Sequence, residues 1–149
     1  MNAELKFDGG YRERIRLPGG EHVRLRLIQP DDKAGLLAGF RQLSAESRAR
    51  RSLGGKQVLS EAELRYFTEI DQVDHFAIGA VELDARGREC DGVAVGRLVR
   101  LSGKPRCAEA TIAIADRLQV KGLGLLLLKR LMEAAQERGF ERLRFEYLA

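Results

Sequence analysis

The chain has 149 residues and a formal net charge of +4, with 44% hydrophobic and 32% charged residues. This length and balance predict one globular domain with a sizeable core. No apolar run approaches the roughly 20 residues that a membrane-spanning helix needs. Residues 1–10 contain no apolar signal-peptide core, so we expect a cytoplasmic protein. The two cysteines, Cys90 and Cys107, have no metal-ligand spacing, and no metal is predicted.

Arginine supplies most of the positive charge, in tracts at residues 11–16 and 47–51. Such tracts can bind phosphate groups, or they can form a face that is simply solvated. No aromatic residues alternate with these arginines to stack on bases, so a nucleic-acid partner is disfavoured.

The chain is expected to begin with a flexible lead-in over residues 1–10, followed by a β-hairpin. Two alternating runs, residues 11–17 and 22–28, flank the turn Pro18-Gly19-Gly20. We therefore divide the chain into a lead-in with a hairpin strand, 1–21, and a main domain, 22–149. The expected core positions of the second strand are Val23, Leu25 and Leu27, and its expected solvent positions are Arg24 and Arg26.

Helices are predicted after the hairpin. Proline and acidic residues at 30–32 are typical of a first helical turn, and apolar residues at helical spacing continue to Leu43. A second short helix is predicted to begin at Ser44 and to end before Gly54-Gly55. A third begins at the capping box Ser60-Glu61-Ala62-Glu63. Its apolar face contains Leu64, Phe67 and Ile70.

Three strands follow, over residues 75–83, 92–101 and 107–114, and then a helix over 125–138 and a last strand over 142–148. The short turns between the three strands predict antiparallel pairing. The final strand–helix–strand unit predicts a parallel pair. The expected fold class is α/β (α+β), with a mixed, mostly antiparallel sheet flanked by helices.

The strand at 107–114 and the following helix both show a clear division of faces. On the strand, Ala108, Ala110, Ile112 and Ile114 share one face, and Glu109, Thr111 and Ala113 share the other. On the helix, the predicted buried stripe is Leu128, Leu131, Met132 and Ala135. The helix residues predicted to face water are Lys129, Arg130, Glu133, Gln136 and Glu137.

The junction between this strand and helix is Gln119-Val120-Lys121-Gly122-Leu123-Gly124. A helix start leaves about four backbone N–H groups without an intrahelical partner, and Ser, Thr, Asp or Asn usually caps them. Residues 121–125 provide no such side chain. Two glycines allow a ligand to approach the backbone, and the helix dipole and Lys121 both favour a negative charge. The junction therefore predicts a phosphate or pyrophosphate site, although a turn that merely needs glycine remains an alternative.

Residues 109–139 resemble the acetyl-CoA-binding segment of the GNAT superfamily of N-acetyltransferases. The family motif Gln/Arg-x-x-Gly-x-Gly/Ala is matched by Gln119, Gly122 and Gly124. The resemblance implies a GNAT fold and acetyl-CoA as cosubstrate. It also implies that Ile112, Ala113 and Ile114 bind the pantetheine arm through their backbone. The residues implied for the pyrophosphate are Gln119, Val120, Lys121, Gly122, Leu123, Gly124 and Leu125.

A narrower resemblance is to the acetyltransferase domain of Pat-type bacterial protein lysine acetyltransferases. It lies in residues 23–32, 43–48 and 59–64 and in the pairs Ile70-Asp71 and Ala108-Glu109. The resemblance implies that Glu109 is the general base for acetyl transfer to a primary amine. The acceptor would be a protein lysine or a small amine. Without the resemblance, Glu109 would be interpreted as a solvated strand residue. A non-catalytic CoA-binding regulatory or interaction module is the alternative function.

The family usually continues beyond the last predicted strand with a further helix and one or two strands, so the usual C-terminal elements are expected to be missing here. The last strand would then have an unpaired edge. Three explanations stay open: a short form, an incomplete sequence, or a partner chain. The last of these would be a homodimer that completes the sheet.

Overall fold

The computed structural model describes residues 5–41, 59–115, 118 and 122–145. Its strands are β1 Glu13–Arg16, β2 His22–Leu27, β3 His75–Leu83, β4 Glu89–Leu101, β5 Lys104–Ile114 and β6 Arg142–Phe145. Its helices are α1 Lys33–Arg41, α2 Glu61–Thr68 and α3 Leu123–Glu137. A 3-10 turn, Pro30–Asp32, precedes α1. No helix in these ranges is long and apolar enough to cross a membrane.

One six-stranded sheet contains the strands in chain order, β1 to β6. Each strand from β1 to β5 pairs antiparallel with the next, and β6 pairs parallel with β5. The predicted hairpin, the antiparallel set and the final parallel pair are thus confirmed. The parallel pair arises because α3 carries the chain back to the end of the sheet at which β5 begins, so that β6 runs in the same direction as β5.

Apolar residues cover both faces of the sheet. On one face, α3 packs through Leu127 and Leu131 on a core that includes Val23, Leu25 and Phe76. On the other face, a smaller cluster joins the helices α1 and α2 to the sheet. It contains Ile28, Leu36, Leu59, Ala77, Val95 and Ala113, with Leu37, Leu64, Phe67 and Ile70 packed against it.

The predicted capping box of α2 is present. Ser60 Oγ accepts a hydrogen bond from Glu63 N at 3.1 Å, and Glu63 Oε1 accepts one from Ser60 N at 2.9 Å. Each end of the box satisfies a backbone donor that the first helical turn leaves open. The helix predicted from Ser44 to Gly54 lies outside the described residues, as does Leu43.

The expectation of a flexible lead-in is wrong for residues 5–10. Phe7 is fully buried, and its ring lies 4.7 Å from that of Tyr11 and 6.3 Å from that of Phe76, centroid to centroid. The backbone N–H groups of Lys6 and Phe7 donate to the Glu137 carboxylate at 2.8 and 3.1 Å. This segment is therefore part of the core on the α3 side.

The expectation that Arg26 points into water is also wrong. Its guanidinium donates to both oxygens of Asp32, each at 2.8 Å, and to Glu89 at 2.9 and 3.0 Å. The guanidinium holds the pKa of Asp32 below its usual value, against the opposing effect of burial. This network ties β2 to the turn before α1 and to β4.

The structure also corrects the phase of α3. The helix begins at Leu123 rather than Leu125, and its buried residues are Leu123, Leu127, Leu131, Ala134 and Ala135. Met132, predicted as buried, is 53% exposed. Arg130 and Glu137, predicted to face water, bind Glu13 of β1 and the segment at residues 6–7. The N-terminal segment covers this side of the helix, so these two side chains do not face water.

Candidate functional site

The last residues of β5 form one wall of the candidate site. Ile112, Ala113 and Ile114 pair with Gly96, Val95 and Ala94 of β4. The described part of β6 pairs only with Cys107–Ala110, so Thr111–Ala113 lie beyond the last described β5–β6 pair. Ala113 and Ile114 are buried, and Ile112 packs against the core on the α3 side. The predicted pantetheine residues thus lie together at the end of β5.

The first turn of α3 lies directly against this end of β5. A Cβ atom at Gly124 would lie 3.2 Å from Ile114 Cδ1, so glycine allows the close approach of helix and strand. The neighbouring β4 approaches α3 equally closely, because a Cβ at Gly96 would lie 3.2 Å from Leu131. These two close approaches pack α3 against both β4 and β5.

Gly122 is the N-cap of α3 and has a φ of +80°, a left-handed conformation that favours glycine. It provides no side-chain cap, and the first turn contains no acidic residue. Leu123 and Leu118 are fully buried and anchor the two ends of the connection, whereas Leu125 is 60% exposed. Backbone N–H groups at a helix start without a side-chain cap suit an anionic ligand.

The remaining predicted pyrophosphate residues, Gln119, Val120 and Lys121, lie outside the described residues. Their assignment rests on the sequence motif alone. What the structure shows of the predicted loop is its buried anchor at Leu118 and its junction with the helix at Gly122–Leu125.

Glu109 lies on β5 on the same face as Ala113. It stands directly opposite Arg144 of β6, and Arg144 Nη2 donates to Glu109 Oε2 at 2.8 Å. The Glu109 side chain is 29% exposed, and its Oε1 makes no hydrogen bond with the described residues. Arg144 was missed in the sequence analysis. The register of a parallel pair separated by a helix gives no local signal, so nothing in the sequence placed the two residues together.

A cavity of about 260 Å³ lies between α1 and the sheet, on the face that contains Ala113. Its floor is made of small residues such as Gly79, Ala94 and Ala113. Ala113 lies at one end of the cavity, and the ion network of Arg26 and Glu89 lies at the other end. The cavity therefore runs across the sheet from β2 to the candidate cofactor strand.

The two cysteines are not paired with each other, and Cys90 lines the cavity under α1. Both are free, Cys90 is exposed and Cys107 is half-buried. No group of three or more His, Cys, Asp and Glu side chains that could bind a metal ion occurs in the described ranges.

Comparison with known proteins gives a consistent result. The model of the acetyltransferase (GNAT) family matches residues 40–147. An acetyltransferase of Pseudomonas aeruginosa is 29% identical over 128 residues, covering 85% of this chain and 67% of that protein. The acetyltransferase Pat of Mycolicibacterium smegmatis is 29% identical over 128 residues, covering 86% of this chain but only 37% of that protein. The crystal structure of the GNAT domain of S. lividans PAT superposes with a TM-score of 0.80 at 27% identity, covering 93% of this chain and 80% of that one.

Proposed function

The chain belongs to the acetyltransferase (GNAT) family, and we propose that it transfers the acetyl group of acetyl-CoA to a primary amine with Glu109 as general base. The acceptor is a protein lysine or a small-molecule amine. The observation that carries the proposal is the junction of β5 with α3, where Gly122 opens the helix without a side-chain cap next to the pantetheine strand.

In this proposal the cosubstrate lies along the end of β5 and across the start of α3. The backbone of Ile112, Ala113 and Ile114 binds the pantetheine arm. The pyrophosphate is bound by Gln119, Val120, Lys121, Gly122, Leu123, Gly124 and Leu125. The uncapped N–H groups and the helix dipole stabilise the phosphate charges. Gly122 supports this proposal. Its left-handed conformation favours glycine, and glycine has no Cβ where the phosphate would approach the first turn of α3.

The chemistry requires a neutral amine. A free lysine has a pKa of about 10.4 and is mostly protonated at neutral pH, so a base must accept one proton before or during attack. In this proposal Glu109 Oε1 accepts it, while Arg144 donates a hydrogen bond to Oε2 and holds the carboxylate. The amine nitrogen then attacks the thioester carbonyl and forms the new carbon–nitrogen bond. The carbon–sulfur bond breaks, and the departing CoA sulfur takes up the second proton of the nitrogen, so that the amide and CoA thiol are released.

The second candidate is a CoA-binding module without catalysis. The ion pair with Arg144 favours this alternative, because the guanidinium already occupies one carboxylate oxygen. The two functions differ after the cofactor has bound: the enzyme releases CoA thiol when an amine is present, and the module does not.

A thiol-release assay with a panel of small amines and lysine peptides tests the proposal. The substitution Glu109→Gln should lower kcat at least about a hundredfold, a typical loss for a general base, with acetyl-CoA affinity almost unchanged. Glu141→Gln is the matched control. Glu141 is also a glutamate at the β6 end of the sheet that is paired with an arginine, here Arg106 at 3.0 Å. Unchanged turnover in Glu109→Gln would remove the proposed role of this residue, and no thiol release with any amine would favour the module.

A further inference from the structure

Arginines gather at the outer edge of the sheet, on the face that α1 covers. Arg14 of β1 stands directly opposite Arg24 of β2, and Arg16 stands opposite His22. Residues directly opposite in neighbouring strands share a face, and Arg24 shares that face with Arg26, which lines the cavity under α1. Arg14 and Arg16 are exposed.

The turn between β3 and β4 extends this group. Arg24 Nη2 donates to the carbonyl of Gly87 at 3.4 Å, and Arg14 Nη1 lies 3.6 Å from the point where a Cβ of Gly87 would stand. The neighbouring Arg86 is exposed. We call the group formed by Arg14, Arg16, Arg24 and Arg86 the arginine surface.

Most of this positive charge is not neutralised. Arg24 pairs with Glu89 at 3.2 Å, but Arg14, Arg16 and Arg86 have no ion pair with any residue that the structure describes. The carboxylate of the nearby Asp84 accepts hydrogen bonds from the backbone N–H groups of Arg86 and Arg88, and these bonds do not involve the Arg86 guanidinium. Like charges opposite one another destabilise a hairpin, so the pair Arg14–Arg24 is better explained by an anionic partner than by stability.

This partner is not the proposed cosubstrate. The arginine surface begins on β1, four strand spacings from β5, which is about 19 Å at about 4.8 Å for each spacing. The cavity under α1 connects the two regions, since its lining runs from Arg26 on β2 to Ala113 on β5. An extended polypeptide is too bulky for this cavity of about 260 Å³, so a chain bound at the arginine surface reaches the reacting strand over the outside of α1.

We propose that the arginine surface docks an acidic segment of a polypeptide whose lysine is the acetyl acceptor. This inference rests on the proposed function and selects a polypeptide over a small amine. The displacement along the strands follows from the pairing. Arg24 stands opposite Val81, and Val81 stands opposite Gly92 of β4. Glu109 stands opposite Val99, seven residues further along β4, which is about 23 Å. Combined with 19 Å across the strands, the separation is about 30 Å, or about nine residues of extended chain.

An acidic polypeptide fits this surface better than a nucleic acid does. Single-stranded nucleic acids bind strongly where aromatic side chains stack on the bases. Phe7 and Tyr11, the aromatic residues nearest to Arg14 in the sequence, are both buried in the core. The guanidinium group of arginine can instead donate two parallel hydrogen bonds to the two oxygens of a carboxylate.

Fluorescence anisotropy of labelled peptides tests this assignment without acetyl-CoA. Each of two 20-residue peptides contains one lysine and a run of five glutamates. The run begins nine residues before the lysine in one peptide and nine residues after it in the other. In the control for each peptide, glutamine replaces every glutamate. At 50 mM salt, at least one acidic peptide should bind about tenfold or more tightly than its glutamine control. The triple variant R14E/R16E/R86E should lose about tenfold in affinity, and R14Q/R16Q/R86Q should lose less. The matched variant K104E/K129E/R142E reverses three exposed charges elsewhere and should change affinity less than about twofold.

The outcomes separate the docking surface from the proposed function. Binding of the acidic peptide without any thiol release would leave the docking surface in place and contradict the acetyl transfer. Equal KM values for acidic and glutamine peptides would overturn the docking surface while supporting acetyl transfer. Equal loss of affinity in both charge-reversed variants would also overturn it. A labelled 20-nucleotide single strand or 20-base-pair duplex that binds more tightly than the peptides, with loss in R14E/R16E/R86E, would identify a nucleic-acid surface instead.

Discussion

His75, at the start of β3, should make the stability of the fold depend on pH. Its Nε2 lies 2.7 Å from Nη1 of Arg97. A guanidinium only donates hydrogen bonds, so Nε2 must accept and the imidazole must be neutral, with its proton on Nδ1. Burial and the nearby charge of Arg97 together lower the pKa of His75 to about 4, against the opposing effect of the Asp71 carboxylate. The ring of Tyr66 lies 4.9 Å from the imidazole and covers it.

The size of the effect follows from these two pKa values. The unfolded chain binds the proton below about 6.5, and the folded chain binds it only below about 4. The stabilisation by neutral His75 is therefore complete above pH 6.5 and is lost as the pH falls toward 4. At pH 5 the loss would be about 2 kcal/mol from linkage alone, and solvent screening of this half-buried group reduces it to about 1–2 kcal/mol.

Urea denaturation at pH 7.5, 6 and 5 measures this loss, with His75→Gln as the comparison. The variant should show a smaller change in the free energy of unfolding over this range, because only groups such as the Asp32 carboxylate, whose pKa is lowered, still contribute to it. The difference between the two proteins should shrink as the pH falls. His22 is the only other histidine in the chain and remains in both proteins. An NMR titration that gives His75 a pKa near 6.5, or the same pH slope in His75→Gln, would refute this reasoning.

Two further predictions concern the stability of the fold, and urea denaturation measures both. Phe7→Ala should lower the free energy of unfolding by about 3–5 kcal/mol, because it empties a fully buried ring site, whereas Leu5→Ala, at a side chain that is 44% exposed, should change it by less than about 1 kcal/mol. Equal effects would contradict the core position of Phe7. Gly122→Ala should cost about 1–2 kcal/mol because of its φ of +80°, whereas Gly35→Ala, inside α1 with open space at its Cβ position, should stabilise by about 0.5–1 kcal/mol. A gain in stability in both would contradict the left-handed N-cap.

Features that depend on neighbouring residues could be predicted from the sequence. The capping box at Ser60 is recognisable because both of its hydrogen bonds form within four residues. The hairpin and the antiparallel strands follow from alternation and short turns. The core positions Val23, Leu25 and Leu27 were correct because the period of a strand leaves only two faces to choose between.

Features that depend on distant partners could not be predicted. Phe7 stands in a short segment without periodicity, and its anchor Glu137 lies 130 residues away. The position of Arg26 depends on Glu89, one of its two carboxylate partners, which is 63 residues away in the sequence. In α3, the run of leucines from Leu125 onward is compatible with more than one helical phase, and the start at Leu123 decides which side is buried.

In the candidate site, too, local features could be predicted from the sequence and features that depend on distant partners could not. The motif of Gln119, Gly122 and Gly124 could be recognised in the sequence, and the structure shows Gly122 as the helix N-cap. The ion pair of Glu109 with Arg144 depends on the register between β5 and β6, which only the folded chain defines.

Calorimetric titration with acetyl-CoA tests the central claim most directly. Gly122→Glu places a carboxylate at the N-terminus of α3, and Gly139→Glu is a matched control. Gly139 has a similar φ of +77° just beyond the other end of the helix, and open space surrounds both Cβ positions. We expect about one site per chain with a dissociation constant in the micromolar range, lost in Gly122→Glu and retained in Gly139→Glu. No heat of binding in a folded wild-type sample, or equal affinity in the two variants, would contradict the cofactor site at the start of α3.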